Sequence, residues 1–235
     1  MPRRKHPLRT GLQRLQTTLK REWLIVLDLD RTLFDTARFY QDFLAALAHT
    51  WNTELATTMM NVERTGEHLD PFEYLQDKHG ITYEEVINAF KSFTEAKYPN
   101  GTNYLFEGAP ELVEYLRKRP RTQVLIMTTG TKQSQEFKIA LCPELASLNH
   151  EIISENKGKV LQDKFEETGS ITLRGRHFHH FVLVDDKASA LMPISAHKRR
   201  ILIHILREDA KFQEHTGRSD IREVSALRQV IDLLR

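Results

Sequence analysis

Two pairs of aspartates sit where apolar runs stop. Asp28 and Asp30 follow Trp23-Leu24-Ile25-Val26-Leu27, and Asp185-Asp186 follow Phe181-Val182-Leu183-Val184. A hydroxyl residue, Thr128, ends a third run, Val124-Leu125-Ile126-Met127, and Thr129 next to it competes for the same place. Three lysines, Lys157, Lys159 and Lys164, lie between the second and third of these runs. Carboxylates gathered at one place repel one another unless a cation joins them. Mg2+ takes one or two carboxylates, keeps several waters and accepts a phosphate oxygen. Carboxylates, Mg2+, a lysine and a hydroxyl together suit phosphoryl transfer, in which positioning and charge neutralisation supply most of the catalysis.

Other reactive residue types read more plainly. His177, His179 and His180 precede a strand and lack the cysteine or spaced histidine partners of a zinc site. His204 inside an apolar run reads as a core histidine. Cys142 lacks the arginine six residues on that a tyrosine-phosphatase nucleophile needs, because Leu148 stands there.

The elements that must position these groups are legible in the pattern. Apolar runs without alternation suit strands buried on both faces of a parallel sheet. Helices predicted from Pro110 to about Lys118, over 132–141, over 157–167 and at the end of the chain separate them. Val224, Leu227, Ile231 and Leu234 read as the stripe of that last helix. Strand–helix alternation predicts an α/β fold, a doubly wound, Rossmann-like parallel sheet, whose ligands bind beyond the carboxyl ends of the strands. The polar residues above lie at those ends.

Between about 36 and 105 the period becomes helical. Tyr40, Phe43, Leu44, Leu47, Ala48 and Trp51 share one helix face. Asp70-Pro71 reads as an N-cap with proline at the first helical position, and Thr82 with Glu85 as a capping box. The block carries no strand signal, so it reads as an all-helical insertion after the first strand.

The chain has 235 residues, one cysteine and a net charge of +2. The single cysteine excludes a disulfide framework or a Cys-rich metal site. No run approaches the roughly 20 apolar residues of a membrane span, and the start lacks the apolar core of a secretory signal; the chain reads as cytoplasmic. The charge is unevenly divided. Residues 1–22 carry seven Lys/Arg and one acid, whereas residues 36–105 carry five Lys/Arg and ten Asp/Glu. A basic tail can bind nucleic-acid phosphates non-specifically, but the acidic block opposes a duplex lying across it.

The sequence resembles the haloacid dehalogenase (HAD) superfamily. Asp28-Leu29-Asp30-Arg31-Thr32, Thr128, a lysine and Asp185-Asp186 match its four motifs in order over about 23–206. Arg31 departs from the glycine common at that position. The resemblance implies a core of 23–35 and 106–235, a helical (C1-type) cap of 36–105 and Mg2+ as cofactor, and leaves the basic stretch of 1–22 as an N-terminal tail. It makes Asp28 the nucleophile that forms an aspartyl-phosphate. Asp30 becomes the acid and base, with its backbone carbonyl on the metal. Thr128 binds the phosphoryl oxygens, Lys157 is preferred over Lys159 and Lys164 to neutralise them, and Asp186 is the direct metal ligand with Asp185 beside it. Carbon–halogen cleavage in this superfamily needs no acid at Asp30, so the expected reaction is hydrolysis of a small phosphorylated metabolite. A phosphomutase with the same nucleophile, and a nucleic-acid end phosphatase or nucleic-acid-binding protein using the tail, are the alternatives.

Overall fold

The computed structural model describes residues 22–64, 70–207 and 215–235. The basic segment, apart from Glu22, lies outside them. At the centre is a six-stranded parallel sheet of β1 (Trp23–Leu27), β2 (Thr122–Thr129), β3 (Asn149–Ile153), β6 (His180–Asp185), β7 (Arg200–Ile205) and β8 (Ile221–Val224), in the order β3-β2-β1-β6-β7-β8. A small antiparallel hairpin, β4 (Ile171–Leu173) with β5 (Arg176–Phe178), stands apart.

Side-chain alternation along the strands divides the interior in two. Ile25, Leu27, Ile126, Val182, Val184, Ile203 and Ile205 enter one apolar cluster. It includes buried residues of α5 (Ala109–Lys118) and α9 (Leu227–Leu234). Leu24, Val26, Leu125, Met127, Phe181, Leu183 and Leu202 enter the other, with Leu161 of α7 (Lys157–Gln162) and Leu191 of α8 (Ala188–Leu191). Both faces are covered, which is why these strands are apolar throughout rather than alternating.

Between β1 and β2 the chain forms α1 (Thr36–Thr50), α2 (Thr53–Arg64), α3 (Pro71–His79) and α4 (Tyr83–Lys97). Asp70 caps α3 by accepting from the amides of Phe72 and Glu73, and Gly80 closes it at φ 66°. Thr82 and Glu85 form the capping box of α4, an arrangement worth about 1 kcal/mol. The chain leaves and re-enters the sheet region side by side: Asp35 donates its amide to Tyr104 O at 2.7 Å, and Phe106 to Leu33 O at 2.9 Å. The helices share the first apolar cluster through Phe39, Phe43, Phe72 and Phe90, and the rings of Phe39, Phe72 and Phe90 meet Phe137 of α6 (Lys132–Ala140).

Two sequence expectations are corrected. Val224 belongs to β8, not to the final helix, which begins at Leu227. The helix expected over 157–167 stops at Gln162, because Phe165 pairs with Ile171 and the chain turns into the hairpin. The hairpin itself, turning at Arg174-Gly175 with both residues at positive φ, gave no pattern long enough to read.

Candidate active site

The register brings distant residues together. Leu27 stands level with Ile126 on one side and Val184 on the other, so the ends of β1, β2 and β6 open at one edge. The Asp28 amide donates to Val184 O at 2.9 Å, holding the first aspartate beside the acidic pair.

Lys157, the first residue of α7, is 4% exposed and places its ammonium between two carboxylates. Nζ lies 2.6 Å from Asp28 Oδ1 and 2.6 Å from Asp185 Oδ2. Lys159 and Lys164 are exposed. Gly158 allows this approach: a Cβ there would fall 2.2 Å from Ala190 O in α8. The other oxygen of Asp185, Oδ1, accepts from the Lys187 amide at 2.9 Å.

Carboxylate oxygens of Asp28, Asp185 and Asp186 lie within 4.8 Å of one another. Burial raises the Asp28 carboxyl to about 6, against the pull of Lys157 and with Asp185 and Asp30 adding to it. Burial also raises Asp186, to about 8, with Asp28 and Asp185 reinforcing the shift. Asp186 Oδ1 is buried and accepts no hydrogen bond, while its Oδ2 lies 3.5 Å from Arg31 Nε. Three crowded acids, one of them with an orphaned buried oxygen, fit a small oxygen-loving divalent cation such as Mg2+. The Asp30 carboxylate is outside this group.

Asp30 is instead fixed by α6 and α1. Its Oδ1 accepts from Lys138 Nζ at 2.7 Å and from Thr36 Oγ1 at 2.7 Å, and Oδ2 accepts from Gln135 Nε2 at 3.0 Å. Burial pushes this carboxyl up, but Lys138, Thr36 and Gln135 outweigh it and hold Asp30 below the usual carboxylate value. An acid–base group works best with its pKa moved up toward the working pH; the free carboxyl of Asp30 is displaced the other way. Thr128 is buried and donates to Gln135 Oε1 at 3.3 Å, whereas Thr129 is exposed.

Other side chains brace the loop after β1 and the acidic pair. His204, 2% exposed, donates Nε2–H to the Asp186 carbonyl oxygen at 2.9 Å. Arg31 takes φ 62°, a left-handed conformation that costs a side-chain-bearing residue roughly 1–2 kcal/mol. Arg207 offsets it by donating to Arg31 O at 2.9 Å and to Thr32 O at 2.7 Å, with its guanidinium 3.7 Å from the centre of the Phe106 ring. Cys142 is buried, away from the acidic cluster, and burial pushes its thiol up to about 12. His177, exposed on β5, pairs with Glu166, and His180 stacks on Trp23. Among the described residues, the aspartate cluster is the one group of acids and histidines close enough to hold a metal ion.

In shape the chain is similar to a protein described as a haloacid dehalogenase-like hydrolase from Burkholderia xenovorans, at 17% identity and a TM-score of 0.53, covering 90% of this chain and 96% of that one. It is also similar to the magnesium-bound HAD-hydrolase YfnB from Bacillus subtilis, at 13% identity and a TM-score of 0.50, covering 92% and 100%. A protein described as a beta-phosphoglucomutase from Thermotoga maritima is similar at 12% identity and a TM-score of 0.50, covering 90% and 99%. No protein-family model matches the chain, and no curated protein matches it in sequence. The chain has the haloacid dehalogenase fold: a Rossmann-like parallel sheet with helices inserted after the first strand. No helix among the described residues is long and apolar enough to cross a membrane.

Proposed function

We propose that this chain is a HAD-type enzyme, a Mg2+-dependent phosphatase that hydrolyses a small phosphate monoester through an aspartyl-phosphate on Asp28. The observation that carries this reading is the Lys157 ammonium set 2.6 Å from both Asp28 and Asp185, beside Asp186. Residues from the ends of β1 and β6 and from the start of α7 thus converge where an anionic group could be received.

Asp28 and Asp186, with the Asp30 backbone carbonyl, would hold the metal; Asp185 is already engaged by Lys157 and Lys187. When bound, Mg2+ supplies positive charge that offsets the carboxylates and the phosphoryl oxygens. Lys157 fixes Asp28 and adds its own charge to the phosphoryl site. An Asp28 oxygen bonds to phosphorus as the ester P–O bond breaks. Thr128 offers a hydroxyl to the phosphoryl oxygens. An anionic phosphoryl group beside Asp30 disfavours its charge, so the carboxyl takes a proton as substrate binds and passes it to the departing oxygen. Asp30 then removes a proton from the water that attacks phosphorus, which regenerates Asp28 and releases inorganic phosphate. The acid–base carboxylate favours ester hydrolysis over carbon–halogen cleavage.

We read residues 36–105 as the cap and 23–35 with 106–235 as the core. The test is direct. The purified protein hydrolyses p-nitrophenyl phosphate with Mg2+, stops with EDTA and recovers when Mg2+ is restored; a panel of phosphorylated metabolites then locates the substrate. No turnover of any phosphate ester with Mg2+ present would overturn the reading.

A further inference from the structure

Helix α6 faces two ways. Ser134 and Phe137 point to the inserted helices: Ser134 Oγ donates to Asp70 Oδ2 at 3.3 Å, and the Phe137 ring lies 5.8 Å from that of Phe72 and 5.4 Å from that of Phe90. Gln135 and Lys138, one residue further round the helix in each case, both reach Asp30. The Asp30 carboxylate has about four lone-pair positions. Lys138 and Thr36 use two on Oδ1 and Gln135 uses one on Oδ2, which leaves one acceptor position on Oδ2 for a reacting group. Gln135 also donates to Thr129 O at 3.3 Å and accepts from Thr128. One amide therefore joins the hydroxyl at the end of β2 to the carboxylate after β1. Lys138 is confined as well, with its side chain 12% exposed.

We infer that Lys138, with Gln135, is a positioning residue for the proton-transferring carboxylate Asp30, aiming its one open oxygen at the oxygen that leaves the substrate. The inference rests on the phosphatase reading and deepens it. Orientation of this kind matters most where the leaving oxygen is basic and must be protonated as it departs. A good leaving group departs without that help. Loss of Lys138 then weakens catalysis selectively, in proportion to leaving-group basicity, whereas a merely structural role weakens all substrates alike.

The experiment measures kcat/KM, which reports only steps up to leaving-group departure, for aryl phosphates from 4-nitrophenyl to unsubstituted phenyl phosphate. Wild type, Lys138→Met, Lys138→Arg and Gln135→Leu are compared, with circular dichroism as the check of folding. Lys138→Met is expected to lose about tenfold more on phenyl phosphate than on 4-nitrophenyl phosphate. Gln135→Leu is expected to follow it in direction, and Lys138→Arg to restore most of the loss. An equal loss on both esters, or no loss, overturns the positioning role while leaving the phosphatase reading intact. Failure of the wild type on every ester overturns both. If Lys138→Met does not fold, Lys138→Arg and Gln135→Leu decide by the same comparison of slopes.

Discussion

The Lys157 ammonium lies 2.6 Å from Asp28 Oδ1 across 129 residues of sequence. Both groups are almost fully enclosed, at 4% and 7% exposure, and a second carboxylate, Asp185, shares the same ammonium. Removing one partner of a buried ion pair leaves uncompensated charge, at a cost of about 3–5 kcal/mol. Lys157→Met is therefore expected to lower the melting temperature in metal-free buffer and to abolish the proposed phosphatase activity; thermal denaturation and initial rates measure the two effects. Added Mg2+ restores part of the stability of this variant without restoring its rate.

The acidic cluster makes stability depend on pH in a direction set by its raised groups. Asp28 is raised to about 6 and Asp186 to about 8, first by burial. Above the ordinary carboxylate value the folded state binds more protons than the unfolded state at these sites, so their contribution to stability falls as pH rises through 6 to 8. Metal-free protein is thus expected to gain stability from these groups between pH 8 and pH 6. A divalent cation in the cluster relieves the repulsion, so the Mg2+-induced rise in melting temperature is larger at pH 8 than at pH 6. Melting curves at both pH values, with Mg2+ and with EDTA, measure it.

Gly158 is required by the close passage of α7 over α8. A methyl group there would overlap Ala190 O, and relieving such overpacking typically costs about 1–3 kcal/mol. Because Gly158 adjoins Lys157, Gly158→Ala is expected to lower both melting temperature and kcat. Val160→Ala, on the same helix but only half-buried, is expected to affect stability less and leave kcat near that of the wild type.

Much of this architecture follows from local pattern. The apolar runs before Asp28, Thr128 and Asp185 mark strands buried on both faces, and the caps at Asp70-Pro71 and Thr82-Glu85 mark helix starts that the structure shows in place. Strand β8 was missed because its four residues are buried at Ile221 and Val224 and exposed between them, a pattern that also fits one turn of helix. Gln135 and Lys138 were missed for a different reason. Both sit in an ordinary polar helix, and only the parallel pairing of β1 with β2 brings that helix over Asp30, 105 and 108 residues away. The choice among three lysines likewise depended on where α7 begins, which spacing alone does not determine.

The proposed function turns on Asp28 as the group that attacks phosphorus. The most direct measurement is the rate of p-nitrophenyl phosphate hydrolysis, in saturating Mg2+, by the wild type and by Asp28→Asn shown to be folded by circular dichroism. An amide of the same shape cannot serve as the attacking carboxylate, so turnover is expected to fall to the uncatalysed background. Full activity in Asp28→Asn would contradict it.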